Sequence, residues 1–262
     1  MRFDNKISLI TGGTKGIGEG CVEVFADAGS HVVFCGLEPE LGASVARRVT
    51  AAGPGTATFI RCDVTRHQEL EDIVAQTVTR FGRIDCLINN AGWHPPHHPI
   101  DAFAVDDLRA ILELNLVSVF ALCKLALPHL RPARGSIINV ASLVATIGQL
   151  HATTYVATKG AVLSFTKALA LDEAPDVRVN SVSPGNVFTP LWQEAIDAAP
   201  EPAVVREAGE HAQPFGRMGA PREVGRLCLF LAAEATFTTG VDHVISGGAE
   251  LGYGKKTWRN RQ

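Results

Sequence analysis

Tyr155 and Lys159 have the clearest capacity for chemistry in this sequence, because a spacing of four places a phenol and an ammonium one helical turn apart on the same face. A phenol with its ordinary pKa of about 10 is a poor general base at neutral pH. A cation one turn away favours the phenolate and lowers that pKa towards the working range. The pair therefore predicts a proton-transfer site, with an accidental pairing on a solvated helix face as the alternative.

A glycine-rich turn follows the first apolar run. Residues 7–10 are predicted to be a strand, which leads into Thr11-Gly12-Gly13-Thr14-Lys15-Gly16-Ile17-Gly18 and then into a helical pattern over residues 17–28. Glycine lets the backbone approach a pyrophosphate closely, and a helix N-terminus offers unpaired N–H groups to it. This order of elements favours a dinucleotide site over a tight turn without a ligand.

The rest of the chain alternates between short β-branched runs and longer helical patterns. This alternation predicts an α/β fold of the Rossmann type, a doubly wound parallel sheet with helices on both faces in three α/β/α layers. No internal repeat or low-complexity linker interrupts it, so residues 1–262 are predicted to form a single domain. The predicted strands cover residues 7–10, 31–35, 58–61, 84–88, 136–140, 177–182 and 241–245. The predicted helices cover residues 17–28, 41–51, 67–81, 106–130, 155–171 and 221–232, and Thr65 to Gln68 has the spacing of a capping box.

Polar and turn residues gather where the predicted strands end. The third strand is followed by Asp63-Val64, the fourth by Asn89-Asn90-Ala91-Gly92, the fifth by Ala141-Ser142 and the sixth by Ser183-Pro184-Gly185-Asn186. Ligands of open α/β sheets bind in the crevice outside the carboxyl ends of the strands. Any one of these segments could be an ordinary loop, but together they predict one binding site.

The composition favours a protein of a reducing compartment. The 262 residues include six cysteines without a Cys-x-x-Cys spacing, several of them in apolar runs, which predicts free buried thiols rather than disulfides or a metal site. Met1 leads within a few residues into a strand instead of a signal peptide. We therefore expect a soluble, cytoplasmic protein.

Charge and hydropathy argue against two other classes of partner. The net charge of −3 at pH 7 gives no general attraction for nucleic acid, and basic residues cluster only in the tail 255–261. The longest apolar run is broken by Asn115 and Lys124, so no membrane-spanning segment is predicted. The expected partner is a small molecule.

Read in order, the motifs Thr11-Gly12-x-x-x-Gly16-x-Gly18, Asn89-Asn90-Ala91-Gly92, Asn115, Ser142, Tyr155-x-x-x-Lys159 and Pro184-Gly185 resemble the short-chain dehydrogenase/reductase family over essentially the whole chain. The resemblance implies hydride transfer between an alcohol carbon and a nicotinamide. It makes Tyr155 the acceptor of the hydroxyl proton, with Lys159 lowering its pKa and holding the ribose, and Ser142 orienting the hydroxyl. Asn115 is implied to hold a water that connects Lys159 to solvent; a helical Asn bonded to its own backbone is the alternative.

The same resemblance implies which residues bind the dinucleotide. They are Gly12, Lys15, Gly16, Ile17, Gly18, Glu38, Asp63, Val64, Asn90, Ala91, Gly92, Tyr155, Lys159, Pro184, Gly185, Val187 and Thr189. Relatives that prefer NAD usually place an acidic residue directly after the second strand, whereas here Cys35 is followed by Gly36 and Leu37 before Glu38. Glu38 would repel a 2′-phosphate and favours NAD, while Lys15 could reach such a phosphate and keeps NADP open.

Further stretches resemble a subgroup associated with 17β-hydroxysteroid and L-fucose dehydrogenase activities: Trp93-His94-Pro95-Pro96, Ile147-Gly148-Gln149, Thr189-Pro190-Leu191-Trp192 and the segment 248–254. They imply a substrate pocket with His94, Gln149, Trp192 and Tyr253. Trp192 could instead be ordinary core, and Tyr253 could serve its own or a neighbouring subunit. Residues 191–216 are predicted to be a substrate lid and residues 250–262 a C-terminal tail.

A metal site is an alternative interpretation of the loop around His94. His97 and His98 lie close by in sequence, but no carboxylate or thiol completes a ligand set and the intervening prolines stiffen the loop, so a substrate wall without metal is favoured. Hydrogen-bonding groups beside flat aromatic faces suit a sugar, whereas a steroid needs a long apolar channel. Apolar residues of the lid keep the steroid possible.

The favoured function is an NAD(P)-dependent oxidoreductase acting on a secondary alcohol or on the anomeric hydroxyl of an L-fucose-like aldose. The alternatives are a 17β-hydroxysteroid dehydrogenase, a 3-oxoacyl carrier-protein reductase and a non-catalytic dinucleotide-sensing protein. The complete set of Asn115, Ser142, Tyr155 and Lys159 argues for catalysis, since a sensor needs no proton relay. The predicted helix 106–130 is apolar nearly all round, which predicts a homotetramer.

Overall fold

The computed structural model describes residues 2–252. Within them, one parallel sheet has seven strands in the order β3-β2-β1-β4-β5-β6-β7. The chain adds β2 and β3 on one side of β1 and then continues with β4 on the other side. The boundary between β1 and β4 is therefore the topological switch point where doubly wound folds bind ligands. The predicted fold class is confirmed. The strands are β1 (Ile7–Ile10), β2 (His31–Gly36), β3 (Thr56–Arg61), β4 (Cys86–Asn89), β5 (Ser136–Val140), β6 (Arg178–Pro184) and β7 (Asp242–Ile245).

Helices cover both faces of the sheet. They are α1 (Gly16–Asp27), α2 (Pro39–Ala52), α3 (His67–Phe81), α4 (Val105–Leu112), α5 (Ser118–Leu130), α6 (Val144–Ile147), α7 (Thr153–Glu173), α8 (Pro190–Asp197), α9 (Pro202–His211) and α10 (Pro221–Ala233). A 3₁₀ turn spans Ile100–Ala102, and a π-helical turn over Glu113–Val117 joins α4 to α5. The predicted helix 106–130 is therefore one long helical stretch with a widened turn in its middle.

The sheet separates two hydrophobic cores because neighbouring residues of each strand point to opposite faces. Leu9 packs with α3, α5 and α7, while Ile10 packs with α1, α2 and α10. Both faces are covered, so the strands have nearly continuous apolar sequences. All six cysteines are free and buried within these cores or at their edges, as predicted.

One detail differs from the sequence predictions, and one predicted segment proves to be helical. The predicted capping box at Thr65 is wrong, because the Thr65 hydroxyl donates to Asp63 Oδ1 at 2.7 Å and α3 has no side-chain cap at its start. Residues 191–216, predicted as a lid, contain most of α8 and all of α9. Each of these two helices begins with a proline at its first position, which suits a helix start because proline has no N–H to leave unpaired.

The stretch Val105–Leu130 is long and apolar enough to cross a membrane, but 44% of its most apolar segment is buried in the fold. Its Asn115 is 1% exposed and hydrogen-bonds to the Trp93 backbone. A polar side chain bonded inside the protein is the pattern of a packed helix in a globular fold. Val117 and Phe120 are nevertheless exposed on its outer side, where Phe120 contacts Phe165 of α7 edge to face.

Helix α7 is tied to the sheet by a buried polar chain. Asn89 Nδ2 of β4 donates to Asn139 Oδ1 of β5 at 2.8 Å, and Asn139 Nδ2 donates to Thr166 Oγ1 of α7 at 2.9 Å. Buried amides of this kind are stable only when their partners are in place. The chain thus sets the position of the helix that carries Tyr155 and Lys159.

Candidate active site

The glycine turn after β1 is built on Asn90. Asn90 Nδ2 donates to the carbonyls of Thr11 at 2.9 Å and Gly12 at 3.1 Å, and Thr11 Oγ1 accepts from the N–H groups of Asn90 and Ala91. Gly12 has φ +64, and a Cβ added there would lie 2.9 Å from Asn90 Nδ2. Only glycine suits both the backbone and the space.

The start of α1 has the form of an anion site. Among residues 2–252, no side chain caps this helix start, which leaves its first N–H groups for a ligand. Thr189 lies on the other side of the turn, since a Cβ added to Gly16 would be 3.3 Å from Thr189 Cγ2. Ile17 and Gly18 belong to the first turn of the helix. The residues fit the pyrophosphate of a dinucleotide.

Glu38 lies just beyond β2, at the position where dinucleotide-binding folds contact the ribose next to the adenine. Its carboxylate accepts from Thr14 Oγ1 at 3.1 Å and pairs with Lys15 Nζ at 3.0 Å. The Lys15 ammonium, through its hydrogen bond, lowers the pKa of Glu38. A Cβ at Gly36 would lie 2.6 Å from Thr14 Cγ2. A side chain at position 36, the last residue of β2, therefore has no room, so an acidic residue directly after Cys35 is excluded.

The remaining predicted dinucleotide residues line the same edge of the sheet. Asp63 follows β3, and the hydrogen bond from Thr65 lowers its pKa. Buried Val64 lies next to it. Pro184 ends β6, and Gly185 N–H bonds to the carbonyl of Ile245 at 3.0 Å. Val187 forms an isolated bridge with Gly219, at the base of α8.

The Lys159 ammonium lies inside the protein. The residue is 5% exposed, and its Nζ donates to the carbonyl of Val140 at 2.8 Å. Burial lowers its pKa to about 8. Nζ also lies 5.9 Å from the centre of the Tyr155 ring. The spacing of four thus brings the two residues together on one face of α7, as predicted.

The pKa of Tyr155 moves in the direction opposite to the expectation. Burial raises it, and the opposing, lowering contribution is a hydrogen bond with Ser142 rather than the charge of Lys159. The reason is geometric, because Lys159 Nζ is directed at Val140 rather than at the phenol oxygen. Ser142, just beyond β5, is thus the residue that favours the phenolate in this structure.

Asn115 sits in the π-helical turn and links three segments. Its Oδ1 accepts from the Trp93 N–H at 3.0 Å, and its Nδ2 donates to the Trp93 carbonyl and to Thr158 Oγ1. It is not bonded to its own helix backbone. A Cβ on Gly92 would lie 3.1 Å from Asn115 Oδ1 and 3.5 Å from Lys159 Nζ, so glycine keeps this corner open. Single π-turns often occur at functional sites.

His94 and Gln149 meet beside the phenol. The rings of His94 and Tyr155 have centres 4.2 Å apart, and His94 Nε2 lies 2.9 Å from Gln149 Oε1. Trp192 does not join them, because its ring lies against Gly209 between α8 and α9. Tyr253 lies outside the described residues. No group of three or more His, Cys, Asp or Glu in the described part of the chain is arranged to hold a metal ion.

Three threonines carry much of this geometry but were given no role of their own from the sequence, although Thr11 opens the glycine motif. Thr11 accepts the backbone N–H groups that follow β4, Thr14 bonds Glu38, and Thr158 connects Asn115 to the Tyr155 carbonyl. A threonine in a turn or a helix has no distinguishing signal by itself. Only the position of Thr158, one residue before Lys159, offers a hint.

Comparison with known proteins identifies the family. The family model described as Enoyl-(Acyl carrier protein) reductase matches residues 12–250. This chain belongs to the short-chain dehydrogenase/reductase family. The L-fucose dehydrogenase of Bos taurus is 50% identical over 97% of this chain and 93% of that protein. The 3-oxoacyl-[acyl-carrier-protein] reductase of Chlamydia pneumoniae is 35% identical over 92% of this chain and 95% of its own.

A solved structure gives the same result. The ligand-free aldohexose dehydrogenase of Thermoplasma acidophilum superposes with a TM-score of 0.86 and 30% identity, over 98% of both chains. The short-chain dehydrogenase/reductase chain described here is therefore an oxidoreductase of CH–OH groups that uses a nicotinamide dinucleotide and a small-molecule substrate. The family predicted from the motifs is confirmed.

Replacement of Lys159 tests the cost of burying its charge. The folded-state pKa of about 8 is below the ordinary 10.5, so the unfolded chain binds more protons between these values and stability rises with pH in that window. A neutral Lys159→Met side chain avoids the cost. We expect its free energy of unfolding at pH 7 to exceed that of the wild type by about 1–3 kcal/mol, with turnover lost.

Urea unfolding at pH 7 and pH 10 measures this difference, which should be smaller at pH 10. The control is Lys167→Met, an exposed lysine of the same helix, which should change stability by less than about 0.5 kcal/mol. A Lys159→Met protein less stable than the wild type at pH 7 would contradict the prediction.

Proposed function

We propose that this enzyme oxidises an L-fucose-like aldose at its anomeric hydroxyl to the lactone, with NAD as the hydride acceptor. The observation that carries the proposal is the hydrogen-bonding wall of His94 and Gln149 next to the Tyr155 ring. A sugar presents several hydroxyls that need donors and acceptors, and a C–H face that packs on an aromatic ring. The half-identical L-fucose dehydrogenase supports the same substrate class.

The proposed mechanism gives each residue one task. Tyr155, as phenolate, accepts the proton of the substrate hydroxyl, and Ser142 hydrogen-bonds to that hydroxyl and to the phenol. The bound nicotinamide supplies the acceptor for the hydride that leaves the same carbon. Lys159 holds a positive charge near the phenolate and can bond a ribose hydroxyl from its buried position. Asn115 keeps the Trp93 and Thr158 segments in place.

A steroid remains the competing substrate because of the lid, residues 191–216. Leu191, Val204 and Phe215 expose large apolar side chains there and could supply an apolar wall. Trp192 packs within the lid, between α8 and α9, so it would close over a substrate with the lid rather than on its own. A polar wall next to Tyr155 favours the sugar, since the reacting end of a steroid needs few polar partners.

A side-by-side substrate comparison tests the proposal. We expect NAD-dependent kcat/KM for L-fucose and D-arabinose to exceed that for estradiol by at least about tenfold, because hydroxyls that meet paired groups are strongly selected. Absorbance of the reduced nicotinamide measures all three. Estradiol turnover without sugar turnover would favour the steroid alternative, and reduction of a 3-oxoacyl thioester alone would favour the acyl reductase. Binding of the dinucleotide without any turnover would indicate a sensor.

The preference for NAD over NADP rests on Glu38. Its carboxylate is held toward the turn by Thr14 and neutralises Lys15, the one nearby cation that the sequence suggested for a 2′-phosphate. A 2′-phosphate at this place would meet a carboxylate, and it would find Lys15 already paired. Like charges disfavour such binding, so NAD is the proposed cofactor.

Removal of the Glu38 charge should shift this preference. In Glu38→Gln, Lys15 is released, and we expect kcat/KM with NADP to rise about tenfold while that with NAD falls only a few-fold. The exposed Glu40→Gln, with the same change of charge two residues away, should leave the ratio unchanged. A wild-type enzyme that prefers NADP tenfold would overturn the NAD assignment.

A homotetramer is the proposed assembly, and a cytoplasmic location is supported by the six free, buried thiols. Val117 and Phe120 form an exposed apolar strip on the α4–α5 stretch that a second subunit could cover. Light scattering at micromolar concentration should give four times the mass of 27.9 kDa. A stable monomer would contradict this expectation.

A further inference from the structure

Two loops meet beside the catalytic phenol, and the second depends on a glycine. Gly148 ends α6 with φ +77, a conformation that favours glycine, and it turns the chain so that Gln149 approaches the loop 93–99. The two loops are also joined through their backbones, because the His98 N–H donates to the His151 carbonyl at 2.9 Å. The two loops are therefore held together by a backbone hydrogen bond, although they lie more than fifty residues apart in the sequence.

Gln149 bridges two histidines across this contact. One end of its amide lies 2.9 Å from His94 Nε2, and the other end lies 3.2 Å from His97 Nε2. The two imidazole rings are themselves 5.0 Å apart, and the His94 ring contacts Tyr155. His97, on the outer side of the loop, thus reaches the substrate wall through Gln149.

The hydrogen-bond donors and acceptors of His94, Gln149 and His97 depend on one another. His94 Nδ1 lies 2.6 Å from the Pro95 carbonyl, which can only accept, so this nitrogen carries a proton. In a neutral His94, Nε2 can then only accept, so it receives the NH₂ group of Gln149 and the amide oxygen faces an N–H of His97. In a charged His94, the amide is reversed and His97 Nε2 accepts. In both cases His97 holds the far end of the amide.

We propose that His97 is a positioning residue for the substrate, which acts by holding the Gln149 amide in the orientation that His94 requires. It does not touch the reacting atoms. The proposal rests on the proposed function in one respect, since the aldose is the substrate whose binding it improves. Without His97 the amide can rotate, so the group that it presents to His94, and with it the wall that meets the sugar, no longer has one arrangement.

The surroundings of His97 suit this task. Its partial burial, together with His94, His151 and His98, lowers its pKa, so the ring stays neutral over a wider pH range. A neutral imidazole has one donor and one acceptor, and it can satisfy either end of an amide. A charged ring could only donate and would exclude one of the two amide orientations.

Steady-state kinetics separate positioning from chemistry. For His97→Ala we expect the KM for L-fucose to rise about tenfold, with kcat changed less than about threefold and the KM for NAD unchanged, because one well-placed hydrogen-bond network contributes about a factor of ten to binding. His97→Gln, whose amide can replace Nε2, should restore most of the loss. His98→Ala, which removes a neighbouring ring that faces Phe103, is the matched control and should behave as the wild type.

A double substitution tests the route. In a Gln149→Ala background, His97→Ala should have no further effect on KM, because His97 acts through the amide. Additive effects would overturn the proposal, and so would an unchanged KM in His97→Ala. A fall in kcat with an unchanged KM would also overturn it.

A measurement without substrate keeps this proposal distinct from the proposed function. In protein labelled with ¹⁵N-histidine, His97→Ala should shift the ring nitrogens of His94, whereas His98→Ala should not. If the wild type fails to oxidise any aldose, the proposed function is wrong. The nitrogen shifts of His94 still decide whether His97 orients the Gln149 amide. Unchanged His94 shifts in His97→Ala would overturn the positioning role.

Discussion

The site depends on a positive charge that is held away from water. Lys159 ends against the Val140 carbonyl at 2.8 Å, and burial lowers its pKa to about 8. An ammonium in such a place is tolerated only with partners close by, and the structure around it meets that condition. Gly92 leaves space for it, and the π-turn directs Asn115 into the same corner. Keeping the charge there costs stability, and the proposed mechanism uses it at a phenolate and a ribose.

Much of the fold followed from the sequence because buried parallel strands have continuous apolar runs and their helices have a helical period. The parallel sheet and the two cores on its faces agree with those patterns. The π-turn at Glu113–Val117 could not be predicted, because one widened turn leaves the apolar pattern of a helix almost unchanged. Helices α8 and α9 were predicted only as a lid, since they are short and begin at prolines. The capping box failed because Asp63 takes the Thr65 hydroxyl.

The candidate site was predictable where chemistry requires particular residue types at particular spacings, as for Tyr155 and Lys159. It was not predictable where the role of a residue depends on its contact with a segment far along the chain. The absence of an acidic residue at Gly36 has its reason in Thr14, which fills that space and bonds Glu38 instead. The raised pKa of Tyr155 likewise follows from burial and from the direction of a lysine side chain. Neither can be read from spacing, because both depend on three-dimensional contacts.

The central claim is that the Tyr155 phenolate accepts the substrate proton, while most contacts to the dinucleotide come from other residues. The most direct measurement compares turnover and NADH affinity in Tyr155→Phe, which keeps the ring against His94 and removes only the hydroxyl. We predict that kcat falls at least about 10²-fold, while the Kd for NADH, from fluorescence titration, changes less than about fivefold. A Tyr155→Phe enzyme that retains most of its kcat at saturating NAD would contradict this account.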